Sequence, residues 1–159
     1  MDKLDSSDVR ILQALQERGD LTMAELADRV HRSHSQCSRR VKQLQDEGII
    51  RGYTAILNPE ALGLNLKAYI NVVLKQHSQQ ATAFHELVRD CPEILECCMV
   101  TGDGDYLLKT YTRDMAHFRE LLGKLASIDM IATLKSVIVV EDLKHTPALP
   151  VYPTISRSN

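Results

Sequence analysis

The run Leu26-Ala27-Asp28-Arg29-Val30-His31-Arg32-Ser33-His34-Ser35-Gln36-Cys37-Ser38-Arg39-Arg40-Val41-Lys42-Gln43-Leu44 decides how this chain folds. Ser33 followed three residues later by Gln36 is a capping box, which starts a helix by satisfying otherwise orphaned backbone amides. Cys37, Val41 and Leu44 then recur at i, i+4 and i+7, a single apolar stripe. Upstream, Leu26, Ala27 and Val30 make the inner face of a preceding helix, opened by a second capping box at Thr22 and Glu25 and stapled by Leu21 and Leu26. Only His31 and Arg32 separate the two helices.

Further upstream, Asp5 caps a first helix with Asp8 at its third position, and Leu4 and Val9 staple its start. Ile11, Leu12 and Leu15 form its apolar stripe, and Gly19 ends it. Three short helices with so tight a link between the last two predict a helix-turn-helix. In that arrangement the third helix offers its outer face to the DNA major groove. The outward positions are Ser35, Gln36, Arg39, Arg40 and Gln43. Gln pairs with adenine, Arg forks onto guanine, and both hold phosphates. Arg32, Ser33 and His34 lie at the helix N-terminus, where free amides and the helix dipole favour a phosphate. Such turns usually carry Gly and then an apolar residue. His31 instead tolerates a left-handed backbone at some cost, and Arg32 gives up an apolar anchor for a cation.

Charge distribution supports the same reading. Residues 1–28 carry three basic groups against seven acids, residues 29–51 six against two, and residues 52–159 ten against twelve. The cations therefore concentrate on one helix and its edges. A solvated helix face is the plain alternative. The whole chain, 159 residues with a net charge of −2, is not a strongly basic protein of the ribosomal sort. With 44% apolar and 25% charged residues it has the composition of a folded globular chain. No apolar run approaches the ~18 residues of a membrane span, and the start lacks a signal peptide's layout. Cys37, Cys91, Cys97 and Cys98 form no CxxC pair, so no metal site is expected. Reduced thiols in a cytoplasmic protein are expected instead.

Beyond the helices, Ile49 to Leu57 alternates like a strand, Asn58-Pro59 punctuates it, and a connector runs to Asn65. From Leu66, an alternating strand is followed by a helix capped by Ser78, with the stripe Phe84, Leu87, Val88, Cys91. Ile94 to Thr101 and Tyr106 to Thr112 read as strands joined by Gly102-Asp103-Gly104-Asp105. Asp114 caps a helix with the stripe Phe118, Leu121, Leu122, Leu125, and Ile131 to Leu143 is the last strand. The order is a ferredoxin-like βαββαβ, with a weak repeat of Ala83-Phe84-His85-Glu86-Leu87-Val88 against His117-Phe118-Arg119-Glu120-Leu121-Leu122.

The expected architecture is α+β: a winged-helix-like helix-turn-helix over 1–50, a strand and linker over 51–65, a βαββαβ domain over 66–145, and a Pro-containing tail over 146–159. With both helices on one sheet face, the other face is bare. Its candidates are Tyr69, Val73, Leu95, Cys97, Met99, Leu107, Lys109 and either Val137/Val139 or Ser136/Ile138. So apolar a face pairs with a second subunit, giving two reading helices about 34–36 Å apart. The tail, with Pro147, Pro150 and Pro153, is expected to fray or to dock on a neighbour.

Over nearly its whole length the chain resembles the leucine-responsive regulator/asparagine-synthase regulator (Lrp/AsnC) family. The resemblance rests on Leu4-Asp5-Ser6-Ser7-Asp8 with Ile11-Leu12 and Leu15-Gln16, on Leu26-Ala27, and on Cys37 with Arg39-Arg40-Val41. It continues through Gly48-Ile49-Ile50 and Tyr53-Thr54-Ala55-Ile56-Leu57-Asn58-Pro59. Its most specific part is Val100-Thr101-Gly102-Asp103-Gly104-Asp105-Tyr106-Leu107-Leu108-Lys109, followed by Asp114-Met115. The resemblance implies a transcription regulator, not an enzyme, that senses an amino acid and assembles as a homodimer or octamer, with no cofactor. It places the effector at Thr101, Gly102, Asp103, Gly104, Asp105 and Tyr106, with Val137 and Ile138 affecting the response. Glycines let a small zwitterion approach the backbone, and a carboxylate such as Asp105 takes its ammonium. An ordinary hairpin turn uses the same Gly and Asp residues. Relatives carry prolines at the positions of His34 and Gln36, so an operator sequence does not transfer. Two other readings stand beside this one: a tetrapyrrole decarboxylase of the same two-domain plan, and a small-molecule module without DNA binding.

Overall fold

The computed structural model describes residues 4–75 and 82–153, so the expected cap at Ser78 and the end of the tail lie outside the described residues. The chain divides into two compact units: Met1–Ile56 with Lys144–Asn159, and Leu57–Leu143.

The first unit carries helices α1 (Ser6–Glu17), α2 (Met23–Val30) and α3 (His34–Asp46). Each starts at its expected cap: Thr22 with Glu25 and Ser33 with Gln36 form the expected capping boxes, and the Asp5 cap closes as a box with Asp8 as well. The three stripes meet in one core that includes Ile11, Leu15, Leu26, Val30, Cys37, Val41 and Leu44. Fully burying a Leu or Ile side chain contributes roughly 1.5–3 kcal/mol, so the stripes outweigh the weak helix propensity of segments this short. His31 takes the left-handed conformation (φ 55°, ψ 53°) that ends α2 and redirects the chain into α3. The tail is held to this unit. The Gln16 side chain accepts from Leu149 N at 2.6 Å and donates to Leu149 O at 3.0 Å, and Val151 packs against the helical core.

The strand expected over Ile49 to Leu57 does not form. Residues 51–58 have no regular structure, and Tyr53, Ile56 and Leu57 are exposed. Alternation gives the right side-chain pattern, but a strand needs a neighbour for its amides and carbonyls, and a single chain supplies none here.

The second unit has β1 (Leu66–Leu74), α4 (Thr82–Asp90), β2 (Ile94–Met99), β3 (Tyr106–Thr112), α5 (Met115–Ala126) and β4 (Ile131–Ile138). The sheet order is β2-β3-β1-β4 with every pair antiparallel, the expected βαββαβ arrangement. Ala68, Ile70, Val72 and Leu108 face Phe84 of α4 and Phe118, Leu121 and Leu125 of α5, so both helices cover one side. The last strand stops at Ile138 rather than Leu143. The Val139 amide donates to the Lys67 carbonyl at 2.9 Å, and β1 begins only one residue earlier, so the ladder runs out.

The bare face is partly rearranged. A bulge between Ile94 and Glu96 leaves Leu95 unpaired and sets Cys97 opposite Leu108 and Met99 opposite Tyr106. Directly opposed residues share a face, so Cys97 packs against the helix-side core, Met99 shares that side of the strand but stays exposed at its end, and Cys98 takes the open side beside Leu107. A single extra residue inverts every side chain beyond it. On β4, the pairing Tyr69–Val137 puts Val137 on the open face, while Ile138 and Ser136 oppose core residues Ala68 and Ile70.

Candidate nucleic-acid interface and effector site

On α3, Ser33 accepts from the Gln36 amide at 3.3 Å, and the Gln36 side-chain oxygen takes the Ser33 amide at 3.4 Å. The cap brings the helix start to the surface, where Arg32, Ser33, His34, Ser35, Gln36 and Arg39 are all exposed. Arg32, Gln36 and Arg39 line one shallow cleft of about 150 Å³ against the start of α1. Arg39 forms no ion pair among the described residues, nor do Arg32 and Lys42. These cations are available to an anion.

Arg40 and Gln43 are not. Arg40, expected to point outward, turns inward with its side chain 24% exposed and grips Asp8, whose side chain is fully buried. Its Nε and Nη2 both donate to that carboxylate, the latter at 2.6 Å, and its Nη1 donates to Gln43 Oε1 at 2.6 Å. Gln43 in turn donates to Glu47 at 2.8 Å. Burial pushes the Asp8 carboxyl up, but hydrogen bonds from Arg40 and from the Asp5 amide, with the Arg40 charge, hold it below its usual value. The same hydrogen bond with Asp8 raises Arg40. Position 40 lies one residue from a helix face that reads outward, and i, i+3, i+4 spacing alone does not separate the edge of a face from its centre. Asp8 was visible in the sequence only as a capping residue. Its second partner, 32 positions away, left no local signal.

In the second unit the turn after β2 is built around Gly102, whose φ of 113° is open to glycine and strained for other residues. Asp105 is spent on the turn itself. Its carboxylate accepts from the Leu74 amide at 2.7 Å, its amide donates to Val72 O at 2.9 Å, and its carbonyl accepts from Val100 N at 3.0 Å. One oxygen of the carboxylate expected to take an ammonium is thus engaged by β1, which fixes the side chain against the turn. Tyr106 also turns away. It is buried on the helix side, its ring 4.9 Å from that of Phe84 and its hydroxyl 3.3 Å from His85 Nε2. Thr101, Gly102 and Asp103 are exposed, and Gly104 is partly so.

Gly104 sits against Asn71 of β1: a Cβ there would lie 1.7 Å from Asn71 Oδ1. Sequence reading passed over Asn71, since a polar residue on the exposed side of a strand is ordinary. Val137 and Ile138 pair with Tyr69 and Ala68, whereas Tyr106 pairs with Val72, three to four positions along β1. That separation is about 10–13 Å at strand rise. One protomer thus brings Val137 to the same face as Asn71, but Ile138 to the opposite one.

A second polar cluster lies at the other end of the sheet. The Cys91 thiol donates to Glu93 at 2.9 Å, and His117 Nε2 meets the other carboxylate oxygen at 2.8 Å. The Cys91 hydrogen bond, opposed by burial and aided by His117, brings Glu93 down to about 2. Burial, with the Glu93 hydrogen bond and charge, pushes Cys91 up to about 11. Such a thiol is protonated and inert. No group of three or more ligating side chains among the described residues is placed to hold a metal.

Comparison with known proteins follows the same division. The Lrp/AsnC ligand binding domain matches residues 67–149, and a winged helix-turn-helix DNA-binding domain matches residues 4–51. The chain is 38% identical over 147 residues to a proline dehydrogenase transcriptional activator of Rhizobium radiobacter, covering 91% of this chain and 94% of that protein. It is 37% identical over 148 residues to the leucine-responsive regulatory protein of Escherichia coli, covering 92% and 90%. A solved structure of a transcriptional regulator from Neisseria meningitidis in complex with L-methionine superposes with a TM-score of 0.89 at 43% identity, covering 92% and 96%.

Proposed function

This chain belongs to the Lrp/AsnC family of transcriptional regulators, and from that premise we propose that it binds duplex DNA through α3 and takes an amino acid beside the Gly102–Asp105 turn. The observation that carries the DNA reading is the exposed, unpaired Arg39 beside Arg32 and Gln36 at the capped start of α3. Arg39 is the base reader. Arg32, with Ser33 and His34, holds phosphate at the helix N-terminus. Arg40 and Gln43 do neither. Arg40 braces α3 against α1 through Asp8, and Gln43 steadies Arg40 from the same helix.

The effector is a small amino acid, as the methionine complex of the Neisseria relative and the leucine response of the E. coli one suggest by likeness. Two copies join through the open sheet face, where Leu107 and Val137 are exposed, and set two α3 helices about one DNA turn apart. Higher assembly to an octamer follows the family's habit. The chain works in the cytoplasm, and no helix among the described residues is long and apolar enough to cross a membrane.

Gel-shift titration of the full chain against the DNA upstream of its own gene tests this reading. Sequence-selective binding is expected, weakened about fivefold or more by Arg39→Ala, since a bidentate Arg–guanine contact is worth about 1–3 kcal/mol. Binding that is indifferent to sequence even at low salt overturns it.

A further inference from the structure

We propose that Asn71 and Lys135 together hold the zwitterionic end of the amino-acid effector, Asn71 accepting from its ammonium and Lys135 pairing with its carboxylate. This rests on the effector reading above and names the residues that would carry it out.

Asn71 is an anomaly. It lies mid-strand on β1, the inner strand paired to both β3 and β4, and its Oδ1 is buried with no hydrogen-bond partner among the described residues. Leaving such an acceptor unpaired is destabilising, and native proteins seldom keep one without a use. The Asn71 amide occupies the space that a side chain at position 104 would fill, within 2.7 Å of an ideal Cβ for all three amide atoms. Gly104 does not have positive φ, so a glycine is needed there for this close approach and not for the backbone. No hydrogen bond among the described residues ties the amide down, so it can swing its oxygen toward the open face without breaking one.

Lys135 is directly opposite Asn71 in the β1–β4 ladder, exposed and without an ion pair among the described residues. Opposed residues have their Cβ atoms about 4.5–5.5 Å apart, a span that an α-amino acid's ammonium and carboxylate can bridge. Asp105 already spends one carboxylate oxygen on the Leu74 amide, whereas the Asn71 oxygen is wholly unspent among the described residues. The neighbouring pair on the same face is Tyr69 and Val137, two residues along and so about 7 Å away. That is the reach of an apolar side chain of leucine or methionine size. Asn71, Lys135 and Val137 thus form one strip on the face proposed to join protomers, and occupancy there would be linked to assembly.

The test is titration calorimetry and thermal shift on the full chain. L-methionine is the first probe and the other common amino acids complete the panel; the N-acetyl and carboxamide derivatives of whichever binds serve as controls. Asn71→Leu should weaken binding at least tenfold while leaving the ligand-free protein as stable as before or more so. Asn71→Asp should keep or tighten binding. Lys135→Gln should weaken binding and make it insensitive to replacing the ligand carboxylate by its amide. Undiminished binding by Asn71→Leu overturns this inference alone, and so does loss of the dimer with affinity unchanged. Silence of the whole panel on the wild type overturns the effector reading, and this inference falls with it.

Discussion

Substituting Arg40 and Arg39 in turn separates bracing from reading on a single helix. Arg40→Ala removes a guanidinium that makes two hydrogen bonds to Asp8 and one to Gln43, and leaves a fully buried carboxylate facing the gap. Breaking a buried pair by removing one partner costs about 3–5 kcal/mol. Arg40 is about one quarter exposed and water can enter the gap, so about 2–3 kcal/mol is expected here. Asp8→Ala strands no buried carboxylate, because the freed Arg40 is a quarter exposed and can reach water, but it also loses the hydrogen bond that Asp8 accepts from the Asp5 amide at 2.8 Å, so its cost is again about 2–3 kcal/mol. Once Asp8 is gone, Arg40 has no buried carboxylate to neutralise. The double variant should therefore cost about 1.5 kcal/mol less than the sum of the singles.

The readout is urea unfolding followed by helical circular dichroism at one fixed protein concentration. Asp8 sits below its usual pKa when folded, so its contribution is complete above the unfolded value near 3.9 and is lost as pH falls through the lower folded value. The gap between wild type and Arg40→Ala should accordingly narrow below about pH 4. Arg39→Ala, with no partner to lose, should change stability by less than about 0.5 kcal/mol yet weaken DNA binding. An Arg40→Ala protein as stable as wild type but as poor on DNA as Arg39→Ala would refute the inward placement of Arg40.

Three further outcomes are expected. With its thiol pushed up to about 11 by burial and by the Glu93 carboxylate it donates to, Cys91 should resist iodoacetamide at pH 8 until the second unit unfolds, and peptide mapping that finds it labelled at a free-thiol rate would contradict its burial. His31→Gly should raise the melting temperature, because glycine enters the left-handed region without the roughly 1 kcal/mol strain a Cβ adds, and a lowered value would mean that the His31 side chain makes a needed contact. Truncation after Lys144 removes the Gln16–Leu149 hydrogen bonds and the Val151 contact, so limited proteolysis should cut the helical unit sooner, while unchanged cleavage would show that the arm adds nothing.

The local grammar of this chain was legible residue by residue. Ser33 with Gln36, Thr22 with Glu25 and Asp5 with Asp8 each announce a helix start, because a capping box is completed within four residues. The apolar stripes and strand alternation place every helix and the four sheet strands, and the chain order of strands and helices restricts the sheet to few topologies. The strand expected at Ile49 to Leu57 failed for the opposite reason: its partner had to come from elsewhere. The Asp8–Arg40 pair and the Asp105–Leu74 hydrogen bond span 32 and 31 positions. Each converts a residue that looked available to DNA or ligand into a strut.

What the amino-acid order determined by itself was whatever is settled within one helical turn or one strand: caps, stripes, the left-handed His31, and so the two-part plan. Tertiary structure alone decided which polar groups remain free. The Leu95 bulge inverts Cys97 and Cys98, β1 engages one oxygen of Asp105, and Asn71 is left with an acceptor that nothing among the described residues answers. A side chain's availability is a property of all its neighbours in space, and a buried charge or amide must settle with whichever of them the fold delivers.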